Sequence, residues 1–251
     1  MTRLRTFTYA IAVLLSVPIV AGCGSTSPFT PYDPADIARF SLPFNRDVPA
    51  HPDSMKQVRI VEEEQIIKIV PEDSYQETVR NWSSQRRNEI ERRQQRRAND
   101  YATFWGVDPS LVSLQVETGV SGLTKDKARE LIEKRKEEVR TEIQIDVYWF
   151  SNPSAATSTM TAYLRTDDDS RYPSSRREVS PLRDGFLPGG RNVLYRRISY
   201  FFPRERDGKD ILEGTTSIEL EINRIATASD DSFRWNWEDA AEEAASSSPA
   251  R

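Results

Sequence analysis

Few residues of this chain have side chains that commonly carry covalent or metal chemistry. Among its 251 residues there is one cysteine, Cys23, and one histidine, His51. A single cysteine excludes a disulfide framework, an iron–sulfur cluster and a cysteine-based zinc site. A single histidine excludes a multi-histidine metal site and leaves no spare imidazole for a serine triad in the folded part.

Catalytic motifs are also missing from the sequence. It contains no G-x-S-x-G elbow, no Walker loop and no H-E-x-x-H pair. Aspartate and glutamate together number 39, so no two of them stand out as a glycosidase carboxylate pair. The sequence therefore favours a protein that is not an enzyme, and it predicts no cofactor and no metal.

The N-terminal residues follow the order of an export signal. Arg3 and Arg5 are positive with no acidic residue nearby, and residues 9–20 form an apolar run of twelve, broken only by Ser16 and Pro18. A membrane span needs about 20 apolar residues, so this run is too short to cross a bilayer. Its length fits the apolar region of a signal peptide.

The apolar run ends in Val20-Ala21-Gly22-Cys23. Residues 1–23 resemble a bacterial lipoprotein signal peptide, and these four residues resemble its lipobox, with Val20 where the common pattern has Leu. The resemblance implies that residues 1–22 are removed and that Cys23 carries a diacylglyceryl thioether, which would anchor the mature chain in a lipid bilayer. The alternative is an ordinary secretory signal that ends at a cysteine by chance.

The same resemblance implies a location in the cell envelope. In bacteria with two membranes, an aspartate after the lipidated cysteine favours retention in the inner membrane. This chain has Gly24 at that position. The resemblance therefore implies anchoring to the outer membrane if the host has two membranes.

Segments without periodic apolar residues flank the central part of the chain. Residues 23–56 contain six prolines, too many for a helix or a central strand, and we interpret them as a tether that begins at the lipidated cysteine. The alternative is that residues 40–44 pack on the domain as an arm. Residues 238–251 are small, acidic and rich in serine, which is typical of a disordered tail.

Residues 57–237 are predicted to form one α+β domain. Alternating apolar and polar residues predict strands near residues 58–70, 112–116, 141–150, 158–165, 193–202, 217–222 and 233–237. Two helices are predicted: a long, Arg-rich helix that projects over about 74–105, and a second that begins after Thr124. Residues 166–191 have the composition of a long exposed loop. These elements predict a mainly antiparallel, β-sandwich-like fold decorated by two helices.

The Arg-rich helix is the candidate binding surface. From Arg80 to Arg97 the chain has seven arginines and two glutamates, a local charge of +5. Guanidinium groups match phosphate and carboxylate, so Arg86, Arg87, Arg93 and Arg97 are candidates for binding an anionic envelope polymer. The alternative is a solvated helix with Glu–Arg pairs. Nucleic acid is not expected, because an exported protein rarely meets it and no aromatic residues interleave these arginines for base stacking.

Two further patterns have both a structural and a binding interpretation. Phe233, Trp235 and Trp237 share one face of a strand, which favours a sandwich core over a carbohydrate-stacking platform. Residues 167–169 and 230–231 are aspartates that could bind Ca²⁺ together. They lack the EF-hand spacing, which favours plain loop aspartates.

The sequence thus predicts a membrane-anchored envelope lipoprotein whose domain is a structural or interaction module. Its expected partners are the lipid bilayer through Cys23 and either an anionic envelope polymer or another envelope protein. The alternative is an envelope enzyme that acts on carbohydrate, or a glycan-binding protein. A cleft with converging carboxylates would favour the enzyme.

Overall fold

The computed structural model of the chain describes residues 47–86, 100–150, 153, 160–187, 191–224 and 229–237. The predicted signal peptide, Cys23, most of the proposed tether and the acidic tail lie outside these residues. Arg87, Arg93 and Arg97 also lie outside them, whereas His51 and Arg86 lie within.

The described elements are three α-helices and fourteen strands. The helices are α1 (Tyr75–Asn81), α2 (Val107–Thr118) and α3 (Lys125–Thr141). The strands before α2 are β1 (Val58–Glu62), β2 (Ile67–Pro71), β3 (Ser83–Gln85) and β4 (Tyr101–Phe104). Those after α3 are β5 (Glu142–Trp149), β6 (Met160–Thr166), β7 (Arg171–Pro173), β8 (Arg176–Val179), β9 (Arg183–Leu187), β10 (Arg191–Pro203), β11 (Glu205–Arg206), β12 (Lys209–Asp210), β13 (Ser217–Arg224) and β14 (Ser229–Asn236).

Two antiparallel sheets organise the domain. The first sheet has the order β3-β4-β5-β10-β8, with β9 also paired to β10, and the second has the order β14-β13-β6-β7. Strands β1–β2 and β11–β12 form separate two-stranded sheets. The predicted α+β fold, mainly antiparallel β and sandwich-like, is confirmed.

The first core lies between the two large sheets. In β5, the alternation that marked this strand in the sequence places Ile143, Ile145, Val147 and Trp149 in this core. Phe233 of the second sheet packs against Trp149, with ring centroids 6.2 Å apart. Each of these side chains is almost fully buried, so removal of apolar surface from water stabilises the pairing of the sheets.

A second core covers the opposite face of the first sheet. There Tyr101 and Tyr148 stack with centroids 4.6 Å apart, and Leu111 of α2 and Ile132 of α3 belong to the same buried cluster. The β1–β2 hairpin contributes Val58 to this cluster. The domain therefore has three layers: the second sheet, the first sheet, and a layer formed by the helices and the hairpin.

The predicted helix over about 74–105 begins where expected but is wrong in its extent. Helix α1 begins after Ser74, whose Oγ accepts the N–H of Glu77 at 3.2 Å and so caps the helix, but it ends at Asn81. Residues Ser83–Gln85 then pair with β4. Near the end of the predicted helix, the aromatic residues Tyr101, Phe104 and Trp105 are buried in strand β4 and the residue after it, because sheet pairing buries both faces there. Residues 87–99 lie outside the described part.

The predicted strand near residues 112–116 is also wrong, because this segment is helix α2. The apolar residues of α2 lie on several sides of the helix, so their spacing resembles alternation over a short window. Gly106 stands at the N-cap, and Gly119 ends the helix in the left-handed conformation with φ 59°. The second predicted helix is confirmed as α3, which begins after Thr124.

The predicted long loop at residues 166–191 contains three short strands, β7, β8 and β9. They lie beside β6 and β10 as the outermost strands of their sheets. Because outer strands bury little surface, their composition of Ser, Arg and Pro resembles that of a loop. Polarity here therefore indicated a sheet edge rather than an absence of strands.

The folded domain begins before the predicted boundary at residue 57. Residues 47–56, which we call the N-terminal arm, already pack on it: Val48 and Ala50 are buried, and the Val48 N–H donates to the carbonyl of Asn236 at 2.8 Å. Pro52 accepts the N–H of Val107 at 2.8 Å. Proline content predicted the lack of helix in the arm correctly, but it did not reveal these tertiary contacts.

Candidate functional site

An ion cluster lies at each of the two ends of the sandwich. At the entry end, the arm meets the end of β14 through the Asp47–Asn236 bridge. At the far end, Arg86 and Asp100 stand beside each other, with the Arg86 N–H donating to the Asp100 carbonyl at 3.3 Å. The eight residues of β5 run from one end to the other, a length of about 25 Å.

Arg86, a predicted anion-binding residue, lies in a buried ion cluster at the far end. We call Arg86, Asp100 and Asp231 the Arg86 cluster. The guanidinium of Arg86 pairs with Asp231, and its Nη1 is 3.5 Å from Oδ2 of Asp100. Both carboxylates are fully buried, and Oδ1 of Asp100 accepts the N–H of Phe150 at 2.7 Å.

The charges of this cluster define what Arg86 can do. Two buried carboxylates surround a guanidinium that is 18% exposed. An external anion would compete with both of them in an environment where charge interactions are strong. The geometry therefore gives Arg86 the role of fixing the far end of the sandwich, next to the segment that contains Arg87, Arg93 and Arg97.

The sequence contained a signal for one of the two acidic partners. Asp231 occupies the same alternating positions as Phe233 and Trp235, which point into the core. A charged residue at an inward position requires a partner of opposite charge. No comparable pattern marked Asp100, because the strand that follows it was interpreted as helix.

A second ion cluster lies at the entry end, where a buried guanidinium pairs with two partly exposed carboxylates. Arg204 binds both carboxylate oxygens of Asp53, at 2.8 and 2.5 Å, and its Nε is 2.5 Å from Oδ1 of Asp210. Burial alone would lower the pKa of Arg204, but the hydrogen bonds and charges of the two aspartates raise it overall. This cluster fastens the N-terminal arm to the turn that follows β10.

His51 belongs to this end of the domain rather than to a tether. Its Nε2 is 3.4 Å from the carbonyl oxygen of Leu212, and its Nδ1 is 3.7 Å from Oδ2 of Asp53. The structure shows no serine hydroxyl bonded to the ring among the described contacts of His51. These contacts place the ring between the arm and the rest of the domain.

A third buried polar group lies on the helix-facing side of the first sheet. Oδ1 of Asp146 accepts Nε2 of Gln144 at 2.9 Å, and Oδ2 lies 3.5 Å from Nη1 of Arg197. Burial alone would lower the pKa of Arg197, yet the charge of Asp146 and of neighbouring groups raises it. With both charged residues buried, we interpret this pair as part of the packing between the sheet and the helix layer.

The aromatic residues of β14 form core and not an exposed platform. Phe233, Trp235 and Trp237 are at most 5% exposed. The indole N–H of Trp237 donates to the carbonyl of Thr215 at 2.7 Å. The favoured core interpretation is confirmed. Because these aromatic side chains are buried, they do not form an exposed platform for carbohydrate stacking.

The loop aspartates do not come together. In residues 167–169, Asp167 accepts the N–H of Thr216 at 2.7 Å, and Asp168 accepts the hydroxyl of Thr166 at 2.6 Å. The hydrogen bond from Thr166 lowers the pKa of Asp168. Asp231 lies at the other end of the sandwich with Arg86, and within the described residues no group of acidic, cysteine or histidine side chains has the arrangement of a metal site.

Comparisons with protein-family models, with curated proteins and with solved structures gave no match to this chain. Over the residues that the structure describes, no helix is long and apolar enough to cross a membrane.

Proposed function

We propose that the protein is a lipid-anchored envelope protein whose domain is an interaction module for an anionic envelope polymer. The observation that carries the proposal is the sequence Val20-Ala21-Gly22-Cys23 after an apolar run of twelve, with the chain's only cysteine at the position that lipidation requires. Two or three acyl chains at this cysteine hold a protein to a bilayer durably, whereas one chain holds it only reversibly.

The position of the domain along the chain supports an anchored arrangement. The arm begins at Asp47, so residues 24–46 separate it from Cys23, and a chain of this length spans at most about 80 Å. The chain joins the domain at the entry end. The described neighbours of the Arg-rich segment, Arg86 and Asp100, lie at the far end.

This separation favours a partner other than the anchoring membrane. A domain tethered through its entry end can present its far end to wall polymers or to the headgroups of a facing layer. In this proposal Arg87, Arg93 and Arg97 are the residues whose positive charge binds that partner. Arg86, which precedes these arginines in the chain, is itself held by Asp100 and Asp231 in the Arg86 cluster.

Substitution of Cys23 tests the anchor. In a bacterium that exports the full chain, Cys23→Ser should abolish labelling with a fatty acid and leave the precursor uncleaved after Gly22. Normal processing of the variant and its release in soluble form would contradict the proposal.

A salt-dependent binding measurement tests the partner. The Arg87, Arg93 and Arg97→Gln triple variant should bind isolated anionic wall polymer, or vesicles containing lipid A, more weakly than the wild type at low salt. Wild-type binding should weaken as salt is added, because exposed charges are screened beyond about 8 Å at physiological ionic strength.

A matched control separates a specific surface from net charge. The Lys127, Lys134 and Lys136→Gln variant removes the same charge from α3, where Lys134 is 70% exposed. It should bind like the wild type. Equal loss in both triple variants, or no binding at low salt, would leave the Arg-rich segment as a solvated segment only.

A further inference from the structure

We infer that the β9–β10 hairpin is a second contact surface at the far end of the sandwich, and that its partner is a facing lipid layer with anionic headgroups. The inference rests on the proposed function for the end of the domain that meets a partner, and it adds lipid as the chemistry of that partner. The hairpin does not include the Arg-rich segment, so the two surfaces can be tested separately.

The hairpin projects beyond the rest of the first sheet. Strand β10 has thirteen residues, and β5 pairs with Arg196–Pro203. Among the described strands, Arg191–Tyr195 pair with β9 alone. Trp149, the last residue of β5, stands opposite Arg196. Five residues of β10 therefore extend past the end of β5 at the far end of the sandwich, a length of about 17 Å.

One side of the hairpin is fixed to the core on the helix-facing side of the sheet. Tyr195 is buried there, with its ring centroid 5.6 Å from that of Phe150 and 6.2 Å from that of Tyr148. A Cβ added to Gly185 of β9 would contact the same ring at 3.5 Å. Aromatic packing on this side thus holds the base of the hairpin in place.

The opposite side of the hairpin exposes apolar side chains. Because side chains alternate along β10, Leu194 shares a face with Ile198, which enters the first core, yet Leu194 is 52% exposed. Val179, which pairs with Ile198, is 44% exposed, and Leu182 between β8 and β9 is 41% exposed. Three of the six large apolar side chains exposed in the described part of the chain thus lie within residues 179–194. A cluster of this kind indicates a contact surface.

Positive charge accompanies these apolar residues. Residues 182–187 and 191–196 contain three arginines and one aspartate, a net charge of +2, and Arg183 is exposed directly after Leu182. At a membrane surface, guanidinium groups stay at the level of the anionic headgroups while leucines enter the acyl boundary. A hydrated wall polymer offers no apolar layer for the leucines. The combination of exposed leucine and arginine therefore favours a lipid layer as the partner.

Fluorescence quenching tests this inference with the full chain. The chain is reconstituted into donor vesicles of phosphatidylcholine and mixed with acceptor vesicles of phosphatidylglycerol that carry brominated acyl chains. Leu194→Trp places a reporter on the hairpin, and the five native tryptophans are buried. Bromine should quench this reporter, and less so in acceptor vesicles of phosphatidylcholine. Val116→Trp, at a position on α2 that is 61% exposed, is the matched control and should not be quenched.

Removal of the leucines tests the same contact without a reporter. Leu182→Ser combined with Leu194→Ser should weaken the binding of phosphatidylglycerol acceptor vesicles about tenfold, because roughly half of each leucine is available to enter lipid. Val61→Ser combined with Val116→Ser removes exposed apolar residues from the hairpin and helix layer, and it should bind like the wild type. Thermal unfolding shows that both double variants are folded.

Quenching of the Leu194→Trp reporter by the acceptor vesicles, together with weaker binding of the leucine double variant, supports the inference. No quenching, quenching only when the bromine is in the donor vesicles, equal quenching by both acceptor lipids, or equal binding of the two serine double variants overturns it. The Arg87, Arg93 and Arg97→Gln variant keeps the two proposals apart. If it loses polymer binding while the hairpin reporter is not quenched, the proposed function stands and this inference fails.

Discussion

The indole N–H of Trp235 donates to the backbone carbonyl of Trp82 at 2.9 Å, and this bond joins the second sheet to the segment that leads into the first. The next contact along the same edge is the Arg234 N–H, which donates to Oγ of Ser84 at 3.2 Å. The Arg86 cluster completes the edge at the far end. One side of the sandwich is thus closed by polar contacts between β3 and β14.

Trp235→Phe tests this closure. The phenyl ring keeps most of the buried apolar surface and removes the donor, so the variant should lose about 1–3 kcal/mol of stability through the lost hydrogen bond and imperfect filling of the space. Denaturant unfolding of the wild type and the variant measures the loss. Equal midpoints would show that the Trp82–Trp235 bond does not contribute to stability.

Removal of the Arg86 guanidinium should destabilise the domain strongly. Arg86→Met leaves two fully buried carboxylates without their cation, and such a change costs about 3–5 kcal/mol. Adding Asp231→Asn should recover part of the loss, because one uncompensated charge disappears. A double-mutant cycle by thermal unfolding checks this, and additive effects would contradict a direct interaction.

Gly106 is predicted to be intolerant of any side chain. A Cβ at this position would lie 2.8 Å from the carbonyl oxygen of Pro52 and 2.9 Å from the Trp82 ring. Gly106→Ala should therefore cost about 1–3 kcal/mol through displacement of the arm. Gly122→Ala is the matched control, since a Cβ there meets nothing within 4 Å. Similar melting temperatures for the two variants would argue against the close approach of arm and helix.

Asp108 should make the stability of the domain depend on pH in the direction opposite to that of most carboxylates. Its buried Oδ2 accepts the N–H groups of Lys56 and Gln57 at 3.2 and 2.9 Å. Burial raises the pKa of Asp108 despite these bonds, and the charge of Glu72 adds to the rise. The folded state therefore holds this proton more firmly than the unfolded state, in which the pKa is about 3.9.

The contribution of Asp108 to stability is consequently greatest at acidic pH. It falls as pH rises through the folded-state pKa of this carboxyl. The stability of the wild type minus that of Asp108→Asn, measured by denaturant unfolding between about pH 3.5 and pH 7, should decrease with pH. A difference that grows with pH would mean that the native contacts favour the carboxylate.

Much of the sheet architecture could be predicted from the sequence because the alternation was long. Strand β5 carries four large apolar residues at alternate positions, and β14 with the residue after it carries three, Phe233, Trp235 and Trp237. All of them are buried as expected. The alternation rule gave the wrong result for helix α2, because this helix carries apolar residues on several sides. Strands β3 and β4 were missed because they pair across fifteen intervening residues of the chain, which no local pattern reveals.

Arg86 was predicted to bind an external anion, and there is a physical reason why its internal role was not predicted. A run of arginines indicates positive charge, but not which guanidinium meets a buried carboxylate. Asp231 is distant from Arg86 in sequence and lies beside it in the fold, so the internal role of Arg86 became visible only in three dimensions. His51 was assigned to a tether for a similar reason, since its contacts with Leu212 and Trp237 join segments far apart in the chain.

The central claim is that Cys23 becomes a lipidated first residue that anchors the domain. Intact-mass and N-terminal peptide mass spectrometry of the mature protein, purified from the envelope of its host, tests it most directly. We predict a chain that begins at Cys23 and bears a diacylglyceryl thioether on Sγ. A chain that begins elsewhere, or an unmodified Cys23, would contradict the claim.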